Sequence, residues 1–161
     1  MAHRPPQQPI DTRNFRTSWR LTFHFDGAQV TLVGQERVQK VAAGTTPDRP
    51  RPGENSGSWL ELVDTSGGPL FHRLLGDPLR TRAEHHSPDG RIELHLRAPD
   101  PCDFVAVVPD IPEASDVVLY ASPTEPERIA EAAREVARFP LRERGSGEGP
   151  HGPERQGGGT A

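Results

Sequence analysis

The sequence predicts an all-β fold, an antiparallel β-sandwich of seven to eight strands, and three observations point to it. Apolar and polar residues alternate in most short segments between residues 17 and 122, as they do in strands that bury one face. Turn signals rich in Gly, Pro, Asp and Ser separate these segments, mostly by eight to fifteen residues. One hairpin, from Trp19 to Gly34, is almost completely specified by its own residues.

This hairpin is centred on Asp26-Gly27. Asp-Gly favours a two-residue type I′ turn because both central residues of that turn need a positive φ. A turn of this length places Phe23 opposite Val30 and gathers the apolar side chains on one face, whereas a one-residue slip would pair apolar with polar residues. We therefore expect two paired strands here.

The remaining strands are predicted from the same alternation. Residues 35–42 form a weaker strand, and residues 81–86 form a short edge strand. Residues 104–108 are apolar on both faces, which places that strand in the interior of a sheet. The strands predicted after the hairpin are residues 35–42, 59–64, 70–75, 81–86, 91–97, 104–108 and 117–121.

Apolar residues also define the domain boundaries. Residues 17–122 carry the β-sandwich, while residues 1–16 and 141–161 hold almost no large apolar side chains and are expected to be a disordered arm and tail. The predicted core consists of Trp19, Leu21, Phe23, Val30, Leu32, Leu60, Leu62, Leu94, Phe104, Ala106, Val108, Val118 and Tyr120.

A short C-terminal helix is predicted over residues 123–140. Thr124 and Glu127 fit a capping box, and a narrow apolar stripe at helical spacing follows them. The stripe consists of Ile129, Ala133 and Val136.

Charge and composition exclude several classes of function. The formal net charge is −4, the isoelectric point is about 6.0 and Lys40 is the only lysine, so we expect no binding to nucleic acid or to an anionic membrane. Cys102 is the only cysteine, which excludes an intrachain disulfide and a four-cysteine zinc site. The sequence has no apolar leader and no apolar stretch that could span a membrane, and we expect a cytoplasmic protein.

Histidines in and after the predicted 81–86 strand are the first candidate site. If this strand pairs with the next one, Glu84 or His86 comes to lie across a hairpin from Glu93 or His95. Two histidines and a carboxylate are a ligand set for zinc or non-haem iron. His85 points to the opposite face from His86 in a regular strand. The alternative is a set of exposed polar residues on an edge, since the spacing matches no specific metal motif.

An acidic corner between two predicted strands is the second candidate. Residues 100–127 contain seven carboxylates and no Lys or Arg, and Asp110, Glu113 and Asp116 share one corner. Oxygen-rich corners of this kind bind Ca²⁺. The sequence lacks the spaced Asp ligands of a calcium loop, and the alternative is a negatively charged end that aids solubility.

The sequence contains no convergent catalytic site. Cys102 lies between Asp100 and Asp103, whose charges disfavour a thiolate. Neither a Gly-x-Ser-x-Gly elbow nor a phosphate-binding loop is present. We expect a protein that is not an enzyme and carries no cofactor.

A proline motif lies in the long loop Gly44–Ser58. Pro47-x-x-Pro50, with Arg49 and Arg51, fits a polyproline II ligand for an aromatic groove. The alternative is a plain connection between two strands.

Two stretches carry a family resemblance, Ser58–Asp64 followed by Gly67–Leu75, and Phe104–Pro112. They resemble a group of uncharacterised bacterial single-domain proteins with immunoglobulin- or fibronectin type III-like β-sandwiches. The resemblance covers roughly residues 17–122 and implies an immunoglobulin-like fold, but no activity and no site residues. The sequence departs from true immunoglobulin domains because it lacks their Cys…Trp…Cys core and their tyrosine corner.

Together these features favour a non-catalytic protein-interaction or accessory module. It would bind a protein partner through a sheet edge or through the loops Gly44–Ser58 and Gly76–Gly90. The alternative is a metal- or small-ligand-binding domain, with or without enzymatic activity, that uses His85, His86 and His95. Carbohydrate binding is disfavoured by the low aromatic content of 6%.

Overall fold

The structure is a computed structural model that describes residues 10–79, 81–86, 92–97 and 100–141, with side chains for residues 10–79 and 100–141. In these ranges the chain forms nine strands and two short 3-10 helices, and it contains no α-helix, so the all-β prediction is confirmed. The strands are β1 (Ser18–Phe25), β2 (Val30–Val38), β3 (Ser58–Val63), β4 (Pro69–Leu75), β5 (Thr81–His86), β6 (Ile92–Arg97), β7 (Cys102–Pro109), β8 (Asp116–Ala121) and β9 (Arg134–Pro140).

Seven of these strands form two antiparallel sheets. The three-stranded sheet has the order β2-β1-β7, and the four-stranded sheet has the order β4-β3-β8-β9. The prediction that the strand of residues 104–108 lies in the interior of a sheet is wrong, because among the described strands β7 pairs only with β1. β5 and β6 form a separate two-stranded hairpin. The sheets face each other, because apolar residues from both belong to one buried cluster.

Most of the predicted core lies in two buried clusters. Val118 and Tyr120 belong to a second cluster on the outer face of the four-stranded sheet, together with Trp59. The side chain of Leu94 lies outside the described residues. The predicted core residues buried or partly buried between the sheets are Trp19, Leu21, Phe23, Val30, Leu32, Leu60, Leu62, Phe104, Ala106 and Val108.

The first hairpin forms, but its predicted register is wrong by two residues. Phe23 pairs with Leu32 rather than with Val30. The loop has four residues because the Asp26 carboxylate accepts hydrogen bonds from the backbone N–H groups of Ala28 and Gln29, both at 2.8 Å. A shift of two residues keeps Phe23, Val30 and Leu32 on their predicted face, since the strand period is two. The bulge at Val33 then adds one residue to the shift, so that Leu21 pairs with Gln35. β2 then continues to Val38, so the separate strand predicted over residues 35–42 is wrong.

The predicted C-terminal helix is also wrong. Residues 126–128 form a short 3-10 helix, and β9 pairs along β8. Ala137 and Phe139 alternate with exposed neighbours and pack on the core between the sheets. Pairing with β8 satisfies the backbone and buries these two side chains, whereas a helix with a narrow stripe would bury little.

A long segment between β2 and β3, residues 39–57, crosses the outer face of the four-stranded sheet, and we call it the strap. The Gly53 N–H donates to the Ala133 carbonyl at 2.9 Å, and the Ala133 N–H donates to the Asn55 carbonyl at 2.8 Å. Arg49 of the strap bonds to Glu61 of β3. Both faces of β3 are buried as a result.

The ends of the chain lie mostly outside the described residues, namely residues 1–9 and 142–161. Within the predicted N-terminal arm, Thr12–Asn14 form a 3-10 helix, and Ile10 and Phe15 pack against the core.

Candidate functional site

An ion pair with a buried carboxylate joins the strap to β3. Glu61 lies on the outer face of β3, because its neighbours Leu60 and Leu62 face the core between the sheets. Arg49 donates from Nε to Glu61 Oε1 at 2.7 Å and from Nη2 to Oε2 at 2.9 Å. The Glu61 side chain is 1% exposed and that of Arg49 is 37% exposed. This planar, two-bond arrangement is the geometry in which carboxylates recognise guanidinium groups.

His72 of β4 lies beside this pair, opposite Glu61 in the strand register. Its ring is bonded by two hydroxyls of the strap, with Thr45 Oγ1 at 2.8 Å and Thr46 Oγ1 at 3.1 Å from Nε2. Burial lowers the pKa of His72 below its usual value, and the nearby Glu61 carboxylate opposes that shift. The imidazole is therefore neutral at pH 7, and it can both accept and donate a hydrogen bond.

Two aromatic rings complete the covered face. Trp59 of β3 stacks on Tyr120 of β8 with ring centroids 5.2 Å apart. The Trp59 Nε1 atom is buried and has no hydrogen-bond partner among the described residues. Burial, followed by the charge of Glu61, raises the pKa of Tyr120, so its phenol stays protonated at neutral pH.

The arrangement can hold a planar cation against a buried carboxylate. The Glu61 carboxylate is paired with the Arg49 guanidinium, and at pH 7 the His72 imidazole is neutral and the Tyr120 phenol is protonated. This is a recognition geometry rather than an activated nucleophile or a poised acid and base.

Sequence analysis did not find this cluster. The sequence patterns placed Leu60 and Leu62 in the core and led to no prediction for Glu61. The available signal is that Trp59 and Val63, which share the outer face with Glu61, are large and apolar. A carboxylate within an apolar stripe needs a buried cation, and the Arg-rich loop before β3 supplies it.

The outer face of the three-stranded sheet is a second surface, and the structure leaves it open. Val33 of β2 and Val105 of β7 are 58% and 56% exposed. Thr22 lies between these strands, paired with Val105 on one side and Gly34 on the other. The His24 Nδ1 atom lies 2.6 Å from Asp103 Oδ1 on the same face.

The predicted histidine site falls on the β5–β6 hairpin, whose side chains lie outside the described residues. The strand register pairs His85 with Glu93, Ala83 with His95, and His86 with Ile92. The histidine position that comes opposite Glu93 is therefore 85 rather than 86.

The predicted acidic corner forms one wall of a cleft of about 600 Å³, which Asp110, Glu113 and Asp116 all line. Arg37 bonds to Asp110 at 3.2 Å and also lies 4.4 Å above the Trp19 ring. In residues 10–79 and 100–141, no group of three or more His, Cys, Asp or Glu side chains is placed to share a metal ion.

The other candidate residues lie apart from the strap. Cys102 begins β7, and its thiol donates to the Pro78 carbonyl at 3.4 Å. The loop Gly44–Ser58, predicted as a partner-binding loop, forms most of the strap, and its Arg49 is held by Glu61. The loop Gly76–Gly90 contains β5 and extends outside the described residues.

None of the helices in the described part of the chain is long and apolar enough to cross a membrane. No family model, no curated protein and no solved structure matches the chain. The candidate surfaces are therefore judged by their own geometry.

Proposed function

We propose that this protein is a non-catalytic interaction module with an immunoglobulin-like sandwich that binds a protein partner by adding a strand of the partner to β7. The supporting observation is that β7 is an edge strand with one long apolar run and one exposed valine at its centre. Edge strands offer unpaired backbone groups to other chains unless the protein protects them.

Two of the other three edges carry protective features. β2 has a bulge at Val33, and its Gln35 side chain donates to the Pro140 carbonyl of β9 at 3.0 Å. β9 presents charged side chains along its length, which disfavour pairing with another chain. Its charged residues are Arg134, Glu135 and Arg138.

The β4 edge differs from the β7 edge. β4 begins with Pro69 and carries Arg73. β7, in contrast, has one charged residue, Asp103, followed by the apolar run Phe104–Val108. High β-propensity with little charge is the pattern of a strand that pairs with another strand.

The backbone of β7 determines where an incoming strand can bond, because a side chain of β4 covers one of its outward carbonyls. Arg73 Nη1 donates to the Val107 carbonyl at 2.9 Å, so this carbonyl faces away from β1. Backbone groups alternate in direction along an antiparallel strand, so Val105 and Asp103 face the same side as Val107. An incoming strand would therefore bond at Asp103 and Val105, beyond the position that Arg73 occupies.

The test is affinity capture from native cell lysate with three forms of the full chain. Val105→Lys places a charge at the centre of the β7 edge. Val136→Lys is the matched control, because Val136 is also exposed, at 47%, but lies on β9. We expect wild type and Val136→Lys to capture the same stoichiometric partner and Val105→Lys to lose it. Capture of no partner, or equal capture by all three, would contradict the proposal.

A second candidate function is metal binding at the β5–β6 hairpin, and the strand register favours it. Directly paired residues and residues two apart share a face, so positions 85, 93 and 95 fall on one face, while position 86 falls on the other. Two histidines and a glutamate are a ligand set for Zn²⁺ or non-haem Fe²⁺.

Calorimetric titration of ZnCl₂ into untagged protein tests this candidate. We expect binding of one ion and a loss of at least about tenfold in affinity for His95→Ala, since a ligand is removed. His86→Ala is the control and should leave the affinity unchanged. Absence of zinc binding by wild type, or equal losses in both variants, would rule the site out.

A further inference from the structure

We propose that the outer face of the four-stranded sheet is a recognition site for an arginine-bearing, proline-rich segment of a protein partner, and that the strap occupies this site within the chain. The inference deepens the proposed interaction function and rests on it for the class of partner. It concerns a different surface from the β7 edge.

The chemistry of the covered face defines its ligand. The Glu61 carboxylate is almost fully buried and is bonded by both arms of the Arg49 guanidinium. A buried carboxylate needs such a partner, and a guanidinium is the side chain that fills both of its lone-pair directions at once. Whatever replaces Arg49 must therefore bring a guanidinium of its own.

The strap also resembles a peptide ligand in composition. Its residues 47–50 read Pro-Asp-Arg-Pro and form no strand, and residues 51–55 form a turn in which the Asn55 N–H donates to the Arg51 carbonyl at 2.9 Å. Proline-rich segments bind to aromatic surfaces because they are already extended when free. The stacked rings of Trp59 and Tyr120 lie on the face that this segment crosses, and Leu74, which pairs with Trp59, is an exposed apolar side chain at its margin.

The strap is held mainly by polar contacts, which water can replace. From Thr46 to Ser56, every residue except Pro50 is exposed, so lifting this segment uncovers little apolar surface of its own. The contacts that would break are the bonds from Arg49, Thr45 and Thr46, and the backbone bonds to Ala133.

An unsatisfied atom beneath the strap gives independent support. Trp59 is 1% exposed, and its Nε1–H group has no acceptor in the described structure. Buried donors without acceptors are uncommon in native proteins and destabilise the state that contains them. Lifting the strap gives this group water, and a peptide ligand with a backbone carbonyl at this position gives it an acceptor.

The experiment uses the full chain and a fluorescently labelled peptide with the sequence of Thr46–Glu54. Asn55→Ala weakens the strap at a distance from the ion pair, because Asn55 Oδ1 accepts from the Arg51 N–H at 2.8 Å. We expect the peptide to bind Asn55→Ala about fivefold tighter than wild type, since losing one hydrogen bond raises the open fraction by about that factor.

Three controls isolate the guanidinium. A peptide with alanine in place of Arg49 should bind at least about tenfold more weakly, because it cannot form the two-bond contact. Arg51→Ala in the protein should leave binding at the wild-type value, since the Arg51 side chain is exposed and its closest carboxylate, on Glu54, is 3.6 Å away. Glu61→Gln in the Asn55→Ala background should abolish binding, provided that circular dichroism confirms its fold.

Equal binding of the two peptides to Asn55→Ala would overturn the proposal, as would equal binding of the arginine peptide to Asn55→Ala and wild type. The peptide comparison leaves the protein unchanged, so it decides the question even if Glu61→Gln fails to fold. Val105→Lys should bind the peptide as wild type does, which separates failure of this site from failure of the β7 edge.

Discussion

The two sheets present their outer faces in opposite ways. The outer face of the four-stranded sheet is covered by the strap, and Trp59, Val118 and Tyr120 are buried there. The outer face of the three-stranded sheet is open, and Val33 and Val105 are among the most exposed apolar residues of the described chain. Both sheets have strands with apolar residues on two faces, so the difference in exposure between the two outer faces arises from the strap.

The strap is polar where it meets the four-stranded sheet. The strap contributes Arg49, Thr45 and Thr46 rather than a second apolar core. Polar contacts hold a segment in one register, because each group must find its partner, but they add little net stability. The covered face is therefore well defined, and our proposal is that a ligand competes with the strap for it.

The largest expected effect comes from the buried ion pair. Arg49→Ala should lower the free energy of unfolding by about 3 kcal/mol, because Glu61 is left buried without a cation. The matched change on the open sheet is Arg20→Ala, which breaks an exposed pair with Glu36 and should cost less than about 1 kcal/mol. Urea denaturation of the three proteins measures both values.

A paired replacement sharpens this prediction. Arg49→Met combined with Glu61→Leu removes both charges and should return stability to within about 1 kcal/mol of wild type, because apolar groups of similar size can replace a buried pair. Equal losses for Arg49→Ala and Arg20→Ala would mean that the strap does not bury the carboxylate in solution.

Two valines compare the two outer faces directly. Val118→Ala on the covered face should lower the free energy of unfolding by about 2 kcal/mol, since Val118 is 0% exposed. Val105→Ala on the open face should change it by no more than about 0.5 kcal/mol. The chemical change is identical, so thermal or urea unfolding isolates the effect of the cover, and similar losses at both positions would contradict it.

The smallest effect is the pH dependence that His72 contributes. Burial lowers the pKa of His72 in the folded state below its ordinary value of 6.5, so the unfolded chain binds more protons in that range. The free energy of unfolding should therefore fall as the pH drops from about 6.5 toward the lowered pKa. The free energies of unfolding of wild type and His72→Gln, measured from about pH 7.5 to about pH 5, test this prediction. An unchanged slope in the variant would contradict it.

Sequence patterns predicted where the strands lie far better than which residues of neighbouring strands pair. The apolar patterns of β1, β3, β7 and β8 are local, and these strands and most of their buried residues are found as expected, but β7 lies at an edge and not in the interior of a sheet. The hairpin register depended on the Asp26 side chain, which lengthens the loop by bonding to Ala28 and Gln29. β9 was missed because Ala137 and Phe139 show their strand period only when the core they face is known.

The sequence by itself determined the all-β class, the apolar faces of the strands and most of the core, because side-chain alternation follows from the two-residue period of the backbone. The tertiary structure alone decided which outer face is covered and which is open. The residues next to Glu61 in sequence do not show that its carboxylate is buried and paired. The carboxylate accepts hydrogen bonds from a guanidinium because Arg49, twelve residues earlier, crosses above it in the fold. Alternation specifies the direction of a side chain, whereas its surroundings depend on chain segments that are distant in sequence.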